Sequence, residues 1–246
     1  MAFLEDSFLS HLVELRNRLI RAVAAIVVVF LCLMPWASNI YDLLALPMLQ
    51  ALPEGTKMIA TGVITPFFVP VKITLMAAFI IALPVVLYQA WAFVAPGLYA
   101  HERRFALPMV VGGTLLFLAG MAFCYFFVFN TVFHFISSFA PKSITVAPDI
   151  EQYLSFVMTM FLAFGVTFEV PIVVLLLVKT GIVTVKQLRE ARRYVIVGAF
   201  VVAAVVTPPD VTSQIMLALP MCVLYEIGVL LAAVMIRKQA AGTAPV

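Results

Sequence analysis

The sequence predicts an all-α, polytopic membrane protein with six spanning helices, and three observations carry that prediction. Of its 246 residues, 65% are hydrophobic and 11% charged, with a mean hydropathy of +1.15; a soluble domain is about 45–50% apolar and about 25% charged. Apolar runs of roughly membrane-spanning length recur along the whole chain. Finally, lysine and arginine concentrate on one side of the alternation that those runs define.

The spans are read in order at residues 19–36, 69–95, 105–129, 153–178, 194–206 and 212–236, with the third extending toward Ser138. A span needs about 20 apolar residues to cross a ~30 Å hydrocarbon core. The fifth falls short, because its 13 residues at ~1.5 Å each cover roughly 20 Å. It is closed by Thr207-Pro208-Pro209-Asp210, where proline cannot continue the hydrogen-bond ladder. The last two spans are therefore expected to form a short hairpin, which requires a thinned bilayer or a covering partner.

Twelve basic residues fall on one side: Arg16, Arg18 and Arg21, then Arg103 and Arg104, then Lys179, Lys186, Arg189, Arg192 and Arg193, then Arg237 and Lys238; Lys57, Lys72 and Lys142 fall on the other. Twelve against three places both termini in the cytoplasm and supports the count of six. The first run is expected to stay uncleaved, since no small-residue cleavage site follows it. Residues 1–18 form a cytoplasmic amphipathic segment, with Phe8, Leu12, Leu15 and Leu19 on one helix face. The stretch 40–52 reads as a further short helix on the extracytoplasmic side, and 237–246 as a cytoplasmic tail. With no internal repeat, the chain reads as one membrane domain, 1–246.

Enzyme chemistry finds little footing. His101-Glu102-Arg103-Arg104-Phe105 begins like a zinc-protease motif, but Phe105 stands where the second histidine belongs. The chain has three histidines, and no metal site, catalytic group or cofactor is expected. Cys32, Cys124 and Cys222 lie inside apolar runs and read as packing residues.

Acids in apolar places stand out instead. Glu169 lies within the fourth span and Glu226 within the sixth. A charge at such depth is unfavourable by ~2.5–3.5 kcal/mol or more. No lysine or arginine lies mid-span beside them. Either they are protonated, or they face a wet cavity, or a cation from elsewhere meets them; the structural alternative is a neutral glutamic acid hydrogen-bonded to a neighbouring helix. Pro84, Pro171 and Pro220 should bend their spans and open a concave wall, with Gln89, Glu169 and Gln214 as candidates to line it. On the cytoplasmic side, Glu14 and Glu102 sit among arginines, and Glu14 is spaced to pair locally with Arg18.

Five motifs in order resemble the TatC family: His11-Leu12-Val13-Glu14-Leu15-Arg16; Phe93-Val94-Ala95-Pro96-Gly97-Leu98-Tyr99 leading to Glu102-Arg103; Phe164-Gly165-Val166-Thr167-Phe168-Glu169-Val170-Pro171; Arg192-Arg193-Tyr194; and Thr207-Pro208-Pro209-Asp210. The similarity runs from about Ser7 to Ile236. The resemblance implies a cupped, glove-like six-helix fold in the bacterial inner membrane. It implies a receptor for signal peptides bearing two consecutive arginines, working with single-span TatB and TatA, assembling with copies of itself, and passing folded cargo by the proton-motive force. Signal-peptide contact then falls to Glu14, Arg16, Phe93, Glu102 and Arg103, and the concave membrane face to Gln89 and Glu169. Partner contact falls to Thr207 and Gln214, and loop roles to Pro47, Pro208, Pro209 and Asp210. Membrane lipid surrounds the protein; nucleic acid is not an expected partner. The competing reading is an ion-coupled small-solute transporter with Glu169 as proton relay, against which the absence of repeated halves counts.

Overall fold

Apolar runs in lipid have one economical solution, a helix that pairs every backbone group internally. The computed structural model, which describes residues 2–51, 58–94, 103–139, 148–207 and 210–242, is built in that way. Helix α1 spans Ala2–Leu33, and a 3-10 turn, Met34–Trp36, leads into α2, Ala37–Ala51. Helix α3 is Thr65–Val94; α4, Arg103–Phe123, passes through a π turn at Cys124–Val128 into α5, Phe129–Phe139. Then come α6, Ile150–Lys179, α7, Val185–Val206, and α8, Val211–Gly242. No strand occurs among the described residues, and α3, α6 and α8 run unbroken through Pro84, Pro171 and Pro220.

Among the described residues, five helical stretches are long and apolar enough to span a membrane: His11–Leu46, Thr65–Phe93, Leu107–Phe135, Ile150–Lys179 and Val211–Arg237. The fifth expected span, 194–206, forms the second half of α7, a 22-residue helix. Its polar first half is helical because Thr184 and Gln187 close a capping box (Thr184 N to Gln187 Oε1, 2.8 Å; Gln187 N to Thr184 Oγ1, 3.3 Å). Leu188 is also buried there. The amphipathic N-terminal segment continues into the first span without a break, and the helix read at 40–52 is α2.

The chain divides into two compact units. In the first, Met1–Ala45 with Ala60–Thr114, α1 packs along α3. Small buried residues, Ala22, Ala78 and Ala82, alternate with Val69, Ile73, Met76 and Leu83. The far face of α1 exposes Leu19, Ile20, Val23, Val27, Val28 and Leu31, which suits a lipid-facing surface.

In the second unit, Leu46–Ile59 with Leu115–Val246, α6 is central: it packs on α8 and on the π turn, and α7 packs on α8. Glycines set the approach distances. A Cβ at Gly120 would lie 2.5 Å from the Phe164 carbonyl oxygen, one at Gly165 would collide with the Phe117 ring, and one at Gly228 would lie 3.0 Å from Pro171 Cα. These are the close, small-residue contacts that hold helices together in lipid. Phe123, Phe129, Phe161 and Phe164 fill the space around the π turn with tilted ring pairs. The segment before α3 is joined to the one before α6: Ile59 N donates to Pro148 O (3.0 Å), and Ile150 N to Ile59 O (2.9 Å). Asp149 then caps α6 through Glu151 N and Gln152 N.

Candidate functional site

At the N-terminal part of α1, Glu14 accepts two N–H groups of Arg18, from Nε at 2.9 Å and Nη2 at 2.5 Å. The local pairing that the spacing allows is therefore formed. Both bonds go to Oε1; Oε2 accepts from no described residue. The side chains remain part-exposed, at 21% for Arg18 and 35% for Glu14. They line an open concavity of about 290 Å³ with Val13, Asn17 and Arg21. Arg16 is exposed and donates to Asn17 Oδ1 at 3.4 Å.

One turn before Glu14, His11 stacks on Phe93 of α3, with ring centroids 4.3 Å apart and planes 19° from parallel. The α1–α3 packing thus brings together two of the residues singled out from sequence, Glu14 and Phe93, with His11 as the link. His11 was not singled out, although it opens the first motif. Near Phe93, Gln89 Oε1 and Trp91 Nε1 are buried with no hydrogen-bond partner among the described residues. Glu102, Pro208 and Pro209 lie outside the described residues. So do the side chains of Arg103 and Pro47, whose backbones belong to α4 and α2.

In the second unit, Glu169 is 9% exposed, and neither carboxyl oxygen has a hydrogen-bond partner among the described residues. The neutral acid bonded to a neighbouring helix, one of the alternatives above, is not the arrangement found. Glu169 lies one turn beyond Gly165 and two residues before Pro171, in a stretch of α6 that Gly120 of α4 and Gly228 of α8 approach closely. Polar burial without a partner is unfavourable by ~1–3 kcal/mol. Gln89 belongs to the first unit, while Glu169 and Gln214 belong to the second.

The α7–α8 hairpin organises the remaining residues. Thr207 is buried, and its Oγ1 donates to Ala203 O at 2.8 Å. Asp210 caps α8 by accepting from Ser213 N at 2.6 Å. Gln214 Nε2 reaches Phe200 O at 3.3 Å. Further along, Arg192 donates to Glu226 at 2.7 Å, so the acid of the sixth span meets a cation from the neighbouring helix. The Tyr225 hydroxyl donates to Leu188 O at 2.7 Å. No cluster of metal-ligating side chains occurs among the described residues.

Five long apolar helices among the described residues make this a multi-pass membrane protein. The sequence model of the family described as "Sec-independent protein translocase protein (TatC)" matches residues 10–220. The chain is 52% identical over 221 residues to the Sec-independent protein translocase protein TatC of Escherichia coli (strain K12), covering 90% of this chain and 86% of that one. It is 54% identical over 220 residues to the protein of that name from Azotobacter chroococcum mcd 1, covering 89% and 86%. It is 38% identical over 231 residues to that of Aquifex aeolicus (strain VF5), covering 93% and 95%. A crystal structure of the twin arginine translocase receptor TatC superposes with a TM-score of 0.81 at 39% identity, over 91% of this chain and 98% of that one. The chain belongs to the TatC family.

Proposed function

We propose that this protein is the receptor for signal peptides carrying two consecutive arginines and the core of a translocase that passes folded proteins across the bacterial inner membrane. The observation that carries the reading is the Glu14 carboxylate, part-exposed one turn from the His11–Phe93 stack, with both of its hydrogen bonds to described residues on Oε1. A guanidinium is a planar fork that binds a carboxylate through parallel hydrogen bonds, which an ammonium cannot copy. The resident Glu14–Arg18 pair is a helix i, i+4 contact of the sort that contributes ~0.3–0.5 kcal/mol. Hydrogen bonds to a charged group contribute ~1.5–3 kcal/mol, so an incoming arginine can share or displace Arg18.

Glu102 and Arg103 complete the cytoplasmic site from the other side of the first cytoplasmic loop, with Arg16 at its edge. Gln89 and Glu169 receive the apolar part of the signal peptide, and Pro47 supports the extracytoplasmic side. The α7–α8 hairpin receives the single-span partners TatB and TatA through Thr207 and Gln214, with loop roles for Pro208, Pro209 and Asp210. Both termini are cytoplasmic, several copies assemble in the receptor complex, and the proton-motive force drives passage. Family membership leaves the small-solute transporter without an observation in its favour.

The test is export of a folded reporter behind an Arg-Arg signal sequence, in cells whose own TatC is replaced by this chain. Export that stops on collapse of the proton-motive force, and on changing the pair to Lys-Lys, supports the proposal. Export of neither signal, with the chain stably inserted and its partners present, defeats it.

A further inference from the structure

We propose that His11 is a positioning residue of the arginine-reading site: stacked on Phe93, it fixes the Glu14-bearing turn of α1 against the end of α3, and so turns attraction for positive charge into preference for a guanidinium. The inference rests on the signal-peptide reading above.

Helices α1 and α3 are held together deep in the span, where Ala22 of α1 and Leu83 of α3 are buried. From there to the cytoplasmic end, residues 12–21 and 84–92 include no buried residue. At ~1.5 Å per residue, His11 lies roughly 16 Å along α1 from Ala22, and Phe93 roughly 15 Å along α3 from Leu83. Over that stretch no hydrogen bond or ion pair joins the two helices among the described residues, since Glu14 bonds within its own helix to Arg18. The His11–Phe93 stack, with centroids 4.3 Å apart and planes 19° from parallel, is what spans the two helices at its end. Two flat rings laid face to face fix both separation and tilt, which a contact between aliphatic side chains does not.

What the stack holds is the site. Glu14 follows His11 at i+3, on the same face of α1. Phe93 precedes Val94, the last residue of α3, from which the first cytoplasmic loop leads to Glu102. The stack thus lies between the two acids along the chain and ties the turn that carries one to the helix end from which the other departs.

Arginine and lysine feel such a tie unequally. A guanidinium fork needs its parallel N–H groups aimed at the carboxylate, whereas an ammonium is a point charge on a flexible stem and follows a carboxylate that wanders. Selective sites are held to within ~0.5 Å and 10–20° by neighbours that lock the contacting side chains. A stacked aromatic pair contributes the equivalent of roughly a two- to tenfold change in an equilibrium constant. Loss of the stack should therefore weaken Arg-Arg binding by about that factor and leave Lys-Lys binding nearly unchanged.

The full-length protein, purified in detergent, is titrated with an Arg-Arg signal peptide and with the same peptide carrying Lys-Lys. His11→Ala and His11→Leu should each lower the Arg-Arg affinity roughly two- to tenfold, with Lys-Lys affinity and the melting point in detergent unchanged. His11→Phe, which keeps a ring on Phe93, should restore the wild-type preference. A wild-type preference retained in His11→Leu overturns the proposal, as does an equal loss for both peptides, or a His11→Phe variant as impaired as His11→Leu. Should His11→Ala fail to fold, the contrast between leucine and phenylalanine decides alone, because ordinary packing is served by either. A wild type that does not distinguish the peptides defeats the receptor reading itself, and the inference with it.

Discussion

Replacing Gly120 by alanine tests how closely α4 and α6 approach. The new Cβ would sit 2.5 Å from the Phe164 carbonyl oxygen and 2.9 Å from two ring carbons of Phe168. The oxygen belongs to the backbone of α6, so relief requires the helices to separate, and Gly120 itself is buried. Overpacking of this kind is unfavourable by ~1–3 kcal/mol, against a helix-propensity gain of about 1 kcal/mol for alanine over glycine. The net is a loss of up to about 2 kcal/mol. Gly198 in α7 is the internal control, because a Cβ there meets nothing within 4 Å; Gly198→Ala keeps the whole propensity gain. At ~2–4 °C per kcal/mol for a chain of this size, Gly198→Ala should melt a few degrees above wild type and Gly120→Ala up to several degrees below it. The assay is the loss of the monodisperse gel-filtration peak in detergent after heating. Equal melting of the two variants would refute the packing argument, because it would mean that α4 and α6 are not in contact at Gly120.

Further outcomes are expected. Glu102→Ala should abolish export of an Arg-Arg cargo while the protein stays inserted; normal export would remove Glu102 from the site. Glu169→Leu removes a carboxyl whose two oxygens lack partners among the described residues, so it should leave thermal stability unchanged or raise it by ~1–3 kcal/mol while impairing export after signal-peptide binding; a large drop in melting temperature would show that the acid is a structural requirement. The Arg192–Glu226 pair is 45% and 41% exposed, so a double-mutant cycle on it should give a coupling below ~1 kcal/mol. Tyr225→Phe, which strips a buried hydrogen bond to Leu188, should lower stability by ~1 kcal/mol; coupling of several kcal/mol at the ion pair would contradict this ranking.

The spans were legible because lipid leaves an apolar run few options, and α2 because its apolar residues recur at helical spacing. The polar half of α7 was legible too, in the T-x-x-Q signature at Thr184 and Gln187, but the apolar count alone stopped at Tyr194. The Arg192–Glu226 pair follows from the hairpin, since the two residues are equidistant from Pro209; without the hairpin's geometry, Glu226 looked deeper and lonelier than it is. The π turn at Cys124–Val128 has no local signature, for it depends on how aromatic side chains of α6 settle against it. The Ile59 bridge to Pro148 and Ile150 joins residues far apart in sequence through backbone atoms alone, which side-chain pattern cannot announce. Within the site, Glu14 and Glu169 were visible as acids out of place. The His11–Phe93 stack was not, because aromatic rings in an apolar run read as ordinary packing.

The central claim is that carboxylates at the cytoplasmic end read arginine geometry rather than positive charge. Its most direct test is binding of the purified protein to a signal peptide carrying Arg-Arg and to the same peptide carrying Lys-Lys. Loss of one bidentate contact, at ~1.5–3 kcal/mol, converts to a preference for Arg-Arg of roughly ten- to a hundredfold. The account predicts that preference in the wild type and its disappearance in the Glu14→Ala, Glu102→Ala double variant. Equal affinity for the two peptides, or a preference that survives the double variant, would contradict it.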